Sequence, residues 1–264
     1  MISKIVNYFN THKRLIQGMI LNDIKREYIG SAFGLLWAFI QPLSVILVLW
    51  FVFEVGFKSK PINDVPFILW LSSGLLPWFY FAGALDQTSS SIISQSYLIK
   101  KISFPSVLLP FIKIASGFIL HLFMMFILAF VYLLYGICLD IYWFQLVYYM
   151  FASSIFLIGL GWILSSFVIF IQDVKNLVGI FIQFGFWGTP IFWALSLVPE
   201  KYHFYIMLNP FAFLIQGYRD CMIDKIWFWE RGMANLYFWI PATIVFILGL
   251  IIFNRLKPHF VDVL

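Results

Sequence analysis

Charge is what this chain lacks most: 11% of its 264 residues are Asp, Glu, Lys or Arg, against about 25% in an average soluble domain. No stretch is polar and long enough to build a water-soluble core, so one domain is expected over residues 1–264. No GxxxxGK[ST] phosphate-cradling loop occurs, which excludes ATP binding of that kind within this chain. HExxH and CxxC are missing too, so neither a metal nor any other cofactor is expected here. Only two cysteines occur, Cys138 and Cys221, and both are expected as free thiols. No pair of carboxylates within an apolar run has a spacing suited to acid–base work, and no acidic cluster marks a membrane-embedded glycosyltransferase, so the chain is not expected to be an enzyme. No internal repeat supports inverted-repeat symmetry.

What is present is apolar: 62% hydrophobic residues, 21% aromatic. Runs long enough to cross a hydrocarbon core fall at about 33–56, 67–95, 106–136, 142–171, 177–197 and 236–254. None alternates in the manner of barrel strands. The expected fold is an all-α integral membrane protein with six transmembrane helices. Residues 1–30 read as an amphipathic interfacial helix rather than a cleavable signal. Ile2, Ile5, Val6 and Phe9, then Ile16, Ile20 and Ile24, keep helical spacing, with Lys13, Arg14, Lys25 and Arg26 on the polar side.

Lys and Arg gather on the cytoplasmic side of membrane proteins. With the N-terminus inside, six spans put eleven of the seventeen inside, so both termini are expected in the cytoplasm. The net charge of +5 is then an orientation signal, and nucleic acid is not an expected partner. The longest outside stretch, 198–233, contains an apolar segment broken by Asn209–Pro210, which reads as two re-entrant half-helices before the last span.

Charged groups within the runs are few. Asp86, beside Thr88, Ser89, Ser90 and Ser91, reads as a carboxylate near the inner interface bonded to its hydroxyl neighbours, or as a proton site. Glu54 and Lys113 lie near run ends and can reach water. His121, mid-run, reads as a hydrogen-bonded packing residue, and Gly159–Gly161 as a close helix contact. Trp70, Trp78, Trp143, Trp227, Trp229 and Trp239 fit interfacial belts by position. Phe33, Trp37, Phe181, Phe184, Trp187 and Trp193 lie inside the runs, where flat rings suit the faces of sugars or of lipid.

Three stretches carry a resemblance: DIKREYIGSAFGLLWAFIQPL (Asp23–Leu43), YLIKKISFPSVLLP (Tyr97–Pro110) and LNPFAFLIQGYRD (Leu208–Asp220). In this order, over essentially the whole chain, they resemble the permease subunit of type 2 ABC transporters that export polysaccharides such as O-antigen, capsule and teichoic acid. The resemblance implies a homodimer in the bacterial inner membrane, paired with two copies of a separate ATPase that uses ATP and Mg. It implies coupling to that ATPase through α-helical residues 1–30 and through Lys100, Lys101, Phe104 and Pro105. It further implies a passage lined by Phe33, Trp37, Phe181, Phe184 and Trp187, an outer gate at Asn209–Pro210, and attraction of a polyprenyl diphosphate by Lys25 and Arg26. A permease for a small drug or lipid shares the same fold. An ion-coupled secondary transporter, depending on Asp86, is the alternative from another class.

Overall fold

The structure, a computed structural model, describes residues 12–58, 65–101 and 104–264; among them it has helices and turns but no strand. Helix α1 runs Lys13–Tyr28. A 3-10 turn at Gly34–Leu36, helix α2 at Trp37–Trp50 and a π-turn at Phe51–Gly56 form one continuous first span. Helix α3 covers Phe67–Ser89, followed by the short pieces α4 (Ser91–Ser94) and α5 (Ser96–Lys101). Helix α6 is Leu108–Leu134, α7 is Leu146–Phe170 and α8 is Asp173–Gly188. Next come α9 (His203–Met207), α10 (Pro210–Arg219), α11 (Met233–Leu256) and α12 (Phe260–Val263).

Among the described residues, five helical stretches are long and apolar enough to cross a membrane: Gly34–Gly56, Phe67–Ser89, Leu108–Leu134, Ile141–Phe170 and Met233–Val263. A helix satisfies its backbone groups internally, which hydrocarbon demands. The chain is therefore a multi-pass, all-helical membrane protein.

Two expected runs end early. The run expected at 177–197 is helical only to Gly188, starting at Asp173; its 16 residues reach about 24 Å. Pro190 explains the stop, because it lacks an N–H and pushes the preceding residue out of the helical region. Thr189 is extended accordingly (φ −101, ψ 144). The run expected at 67–95 stops at Ser89, where Ser90 leaves helical geometry. The hydroxyls of Thr88, Ser89 and Ser91 donate to local carbonyls there, offering the backbone an alternative to continued helix.

Helix α3 is the centre of the larger core, touching α6, α7, α8, α10 and the first span. A smaller core joins Ile16 of α1, Ile92, Phe104, Val107, Trp162 of α7, Phe253 of α11 and Phe260 of α12. Helices α7 and α11 cross at two glycines: a Cβ on Gly249 would collide with the Gly159 carbonyl, and one on Gly159 would lie 2.7 Å from the Phe246 Cα. This is the close contact expected at Gly159–Gly161.

The tryptophan belt needs correction at two positions. Trp70 and Trp78 are buried, at 3% exposure each. Trp70 has Arg219 over its ring, and Trp78 packs on Gly185 of α8. Their polar or small partners are inside the protein, so they have no need of the interface.

Among the described residues, four ion pairs sort by end. At the end that carries α1 are Asp23–Lys113 and Asp86–Lys175; at the opposite end are Asp140–Lys225 and Asp220–Arg231. Each pair joins groups that the six-run threading puts on the same side. Cys138 and Cys221 are free thiols.

Candidate functional site

At the end away from α1, helix α10 is held against the segment that follows α8. The Asn209 side chain accepts from the Phe211 N–H at 3.0 Å, capping α10. Its amide donates to Thr189 Oγ1, also at 3.0 Å. One helix length on, Arg219 is 2% exposed and donates from Nη1 to the Pro190 carbonyl at 2.6 Å. Its Nη2 donates to the Ile191 carbonyl. The guanidinium carbon stands 3.7 Å from the centre of the Trp70 ring, a cation–π contact in a water-free setting. Room for it comes from Gly74, where a Cβ would lie 2.8 Å from Nη2. Carbonyls freed by the break at Pro190 thus receive the donors of a buried arginine. Of Asn209 and Pro210, expected as an outer gate, Asn209 bonds Thr189 at the C-terminal end of α8, and Pro210 opens α10.

Next to the clamp, Asp220 is 1% exposed and accepts from Gln216 at 3.1 Å and from Arg231 Nε at 2.6 Å. Asp220 and Arg219 therefore have separate partners and tie different segments together. The structure makes Arg219, Gly74 and Thr189–Ile191 part of the site; the sequence placed Arg219 in the Leu208–Asp220 stretch without giving it a role. A signal was available: an arginine preceded by nine residues of α10 that are mostly apolar.

The residues expected to line a passage are uncovered. Phe33 and Trp37 meet edge to face at 5.7 Å and are exposed. On α8, Leu177, Ile180, Phe181, Phe184 and Trp187 are all exposed, and their spacing puts them on one stripe. Trp187 also meets Phe186 and Phe192, and Trp193 donates to the Trp187 carbonyl at 3.2 Å. The two sets do not form one wall within a single chain; Phe53 of the first span meets Phe192 of the segment after α8, with ring centres 5.8 Å apart.

At the α1 end, Lys25 and Arg26 are exposed on the last turn of α1, beside the carboxylates of Asp23 and Glu27. Lys113, expected to reach water, instead pairs with Asp23 and fastens α1 to α6. Lys100 is exposed, whereas Phe104 is buried in the smaller core and Pro105 is half-buried. Lys101 closes α5; its side chain, residues 102–103, and the expected stripe of Ile2, Ile5, Val6 and Phe9 lie outside the described residues. Phe104 therefore roots this loop in a cluster shared with α1 and α12.

Asp86 is exposed and pairs with Lys175 at 2.6 Å. The expected hydroxyl partners are corrected: Ser89 donates to the Asp86 backbone carbonyl, not to its carboxylate. His121 is buried, with Nε2 2.9 Å from the Tyr218 hydroxyl and its ring stacked on Tyr80 at 4.9 Å, as expected of a packing residue. No metal-ligating cluster occurs among the described residues.

Comparison with known proteins places the chain among transport permeases. The chain is 30% identical over 244 residues, 92% of each chain, to the O-antigen export system permease protein RfbA of Klebsiella pneumoniae. It is 26% identical to the protein of the same name from Myxococcus xanthus, over 82% of this chain and 83% of the other. It is 19% identical to the polysialic acid transport protein KpsM of Escherichia coli, over 93% of this chain and 95% of the other. A family model described as ABC-2 type transporter matches residues 14–223, and with most of the chain covered, the chain belongs to the ABC-2 type transporter family.

Proposed function

We propose that the chain is the transmembrane subunit of an ATP-driven exporter that moves lipid-linked polysaccharide, O-antigen on a polyprenyl diphosphate, across the cytoplasmic membrane. The observation that carries this reading is the likeness, over 92% of the chain, to permeases named for O-antigen export. Two such chains form the passage with two copies of an ABC ATPase, which binds ATP and Mg; this chain holds no cofactor. Uncovered aromatic stripes on the first span and α8 favour a dimer, since each chain alone leaves both open to lipid.

In this arrangement α8 and the extended residues after it make the sixth crossing, and both termini face the cytoplasm. Helix α1 lies at the membrane surface, where Lys25 and Arg26 attract the lipid diphosphate. Lys100, Lys101, Phe104 and Pro105 meet the ATPase, and closure of the ATPase dimer reaches α1 and α12 through buried Phe104. ATP binding shifts the pair between states that hold the nucleotide differently. The rings of Phe33, Trp37, Phe181, Phe184 and Trp187 offer flat faces along which a glycan slides without tight binding. Asn209, Pro210 and the Arg219 clamp form the outer gate and fix where α8 ends.

The test is deletion of the gene in its host, with surface polysaccharide and intracellular lipid-linked glycan measured together. The expected result is loss from the surface with accumulation inside, restored by the intact gene. Normal surface glycan without accumulation, in a host with no second exporter, overturns the polysaccharide reading in favour of a small drug or lipid as cargo.

A further inference from the structure

Two cavities at the α1 end share a wall. The first, of about 330 Å³, is a groove between the first span, α3 and α6. Its lining follows one face of each helix: Trp37, Gln41 and Val45 on the first span, Leu76, Phe79 and Gly83 on α3, and Gly117, Leu120 and Met124 on α6. From Lys113 to Met124 it follows α6 over 12 residues, a rise of about 16 Å. The second, of about 280 Å³, is polar, lined by Asp23, Arg26, Glu27, Gln87, Gln95 and Lys113 among others. Glu27, Gln87 and Lys113 belong to both. A polar chamber thus opens onto an apolar groove deep enough for one acyl chain.

The chamber has unmet hydrogen-bonding capacity. Asp23 is 7% exposed; one carboxylate oxygen pairs with Lys113 and the other, Oδ2, is buried with no partner. Glu27 accepts from the Gln87 amide at 2.9 Å. Glu27 is exposed on its outer side; desolvation by the neighbouring protein raises its carboxyl above the ordinary range, and the Gln87 bond offsets only part of this. Both groups call for a donor with positive charge. Arg26, on the same wall, offers a guanidinium to an oxyanion.

We propose that the chamber and groove together bind one zwitterionic glycerophospholipid with a primary ammonium head group. Its ammonium sits between Asp23 Oδ2 and Glu27, its phosphate faces Arg26, and one acyl chain fills the groove. Inside the chamber the two carboxylates disfavour a lipid diphosphate, which Lys25, outside the chamber lining, and the exposed side of Arg26 attract from the membrane surface instead; the groove's depth suits one acyl chain, not a long polyprenyl chain. The bound lipid braces the weakly covered first span against α3 and α6. The site does not depend on which cargo is exported.

The test uses the full-length chain, extracted in mild detergent and followed by native mass spectrometry with added phosphatidylethanolamine, phosphatidylglycerol or polyprenyl diphosphate. One phosphatidylethanolamine per chain is expected, preferred about tenfold over phosphatidylglycerol, as suits a lost charge-assisted hydrogen bond. A Cβ at Gly83 meets no atom within 4 Å, so Gly83→Leu extends into the groove and should abolish retention while the delipidated variant unfolds at the midpoint of the delipidated wild type. Val45→Trp does the same from the first span, should Gly83→Leu fail to fold. Glu27→Gln should bring the two phospholipids to parity. Retention by folded Gly83→Leu or Val45→Trp equal to wild type, an unchanged head-group preference in Glu27→Gln, or displacement by polyprenyl diphosphate at equal concentration overturns the proposal.

Discussion

The first span and helix α3 are both 23 residues long, yet over an 18-residue stretch of each, 6% of the first is buried and 78% of the second. The more exposed one is the more apolar. In water this order would be reversed, because apolar burial drives folding there. Lipid is as apolar as leucine, so packing, small residues and polar contacts decide which membrane helix goes inside. Helix α3 buries Ser72, Ser73, Gly74, Thr88 and Ser89, and Ser72 and Ser73 each return their hydroxyl to a backbone carbonyl at 2.7 Å. The first span has Leu47, Val48, Phe51 and Val55 facing out. A central helix is recognised here by its small and polar residues, and a peripheral one by their scarcity.

The strongest way to break this comparison is to remove what α3 holds. Arg219→Ala takes away the cation over Trp70 and leaves the Pro190 and Ile191 carbonyls without donors. A cost of about 3 kcal/mol is expected, read as a lower unfolding midpoint of the purified chain. Arg219→Lys, which cannot fork to both carbonyls, should recover less than half of it. A midpoint unchanged in Arg219→Ala would mean that α3 is central for reasons other than this clamp.

Next in size is the α7–α11 crossing. Gly249→Leu drives a side chain into the Gly159 carbonyl, so about 2 kcal/mol of destabilisation is expected from overpacking. Gly179→Leu on α8, where a Cβ meets nothing within 4 Å, should cost far less, and equal costs would show that the crossing is not tight. Smaller still is the tie between α1 and α6. A double-mutant cycle of Asp23→Asn and Lys113→Met should give a coupling of about 1 kcal/mol, above the roughly 0.6 kcal/mol average across membrane helix contacts. A coupling near zero would leave α1 held to α6 by apolar packing such as that of Ile16 alone.

How far the sequence anticipates this follows the same contrast. Runs at 33–56, 106–136, 142–171 and 236–254 correspond to helices within a few residues, because span length is set by the bilayer. Pro190 and the serine cluster at 88–91 mark the two early stops and are visible in the sequence, but hydropathy averages over them. Lateral arrangement is harder to read: Trp70 and Trp78 look interfacial by position and are buried by partners more than a hundred residues away. The Asn-Pro and Tyr-Arg-Asp motifs pointed to the far end of the chain. Their common target, Thr189–Ile191, emerges only once α8 and α10 are brought together. Phe104 and Lys100, adjacent in expectation, separate into anchor and exposed charge.

The smallest effect on stability tests the comparison from the other side. Phe184 is 75% exposed and Val48 is 62% exposed, so Phe184→Ala and Val48→Ala each remove little packing within one chain. Less than about 0.5 kcal/mol is expected for the unfolding of the isolated chain. If these stripes face a second copy or a moving glycan, their loss should appear instead in export rate, in the length of surface polymer or in dimer yield. Trp37→Ala and Trp187→Ala belong to the same series, with Trp37 also touching the groove beside α3. Stability held with export reduced separates function from folding at the uncovered helices, whereas at α3 both should fall together. Normal export and normal dimers throughout the series would leave the stripes as lipid-facing surface, and the passage would then have to be sought along the covered faces.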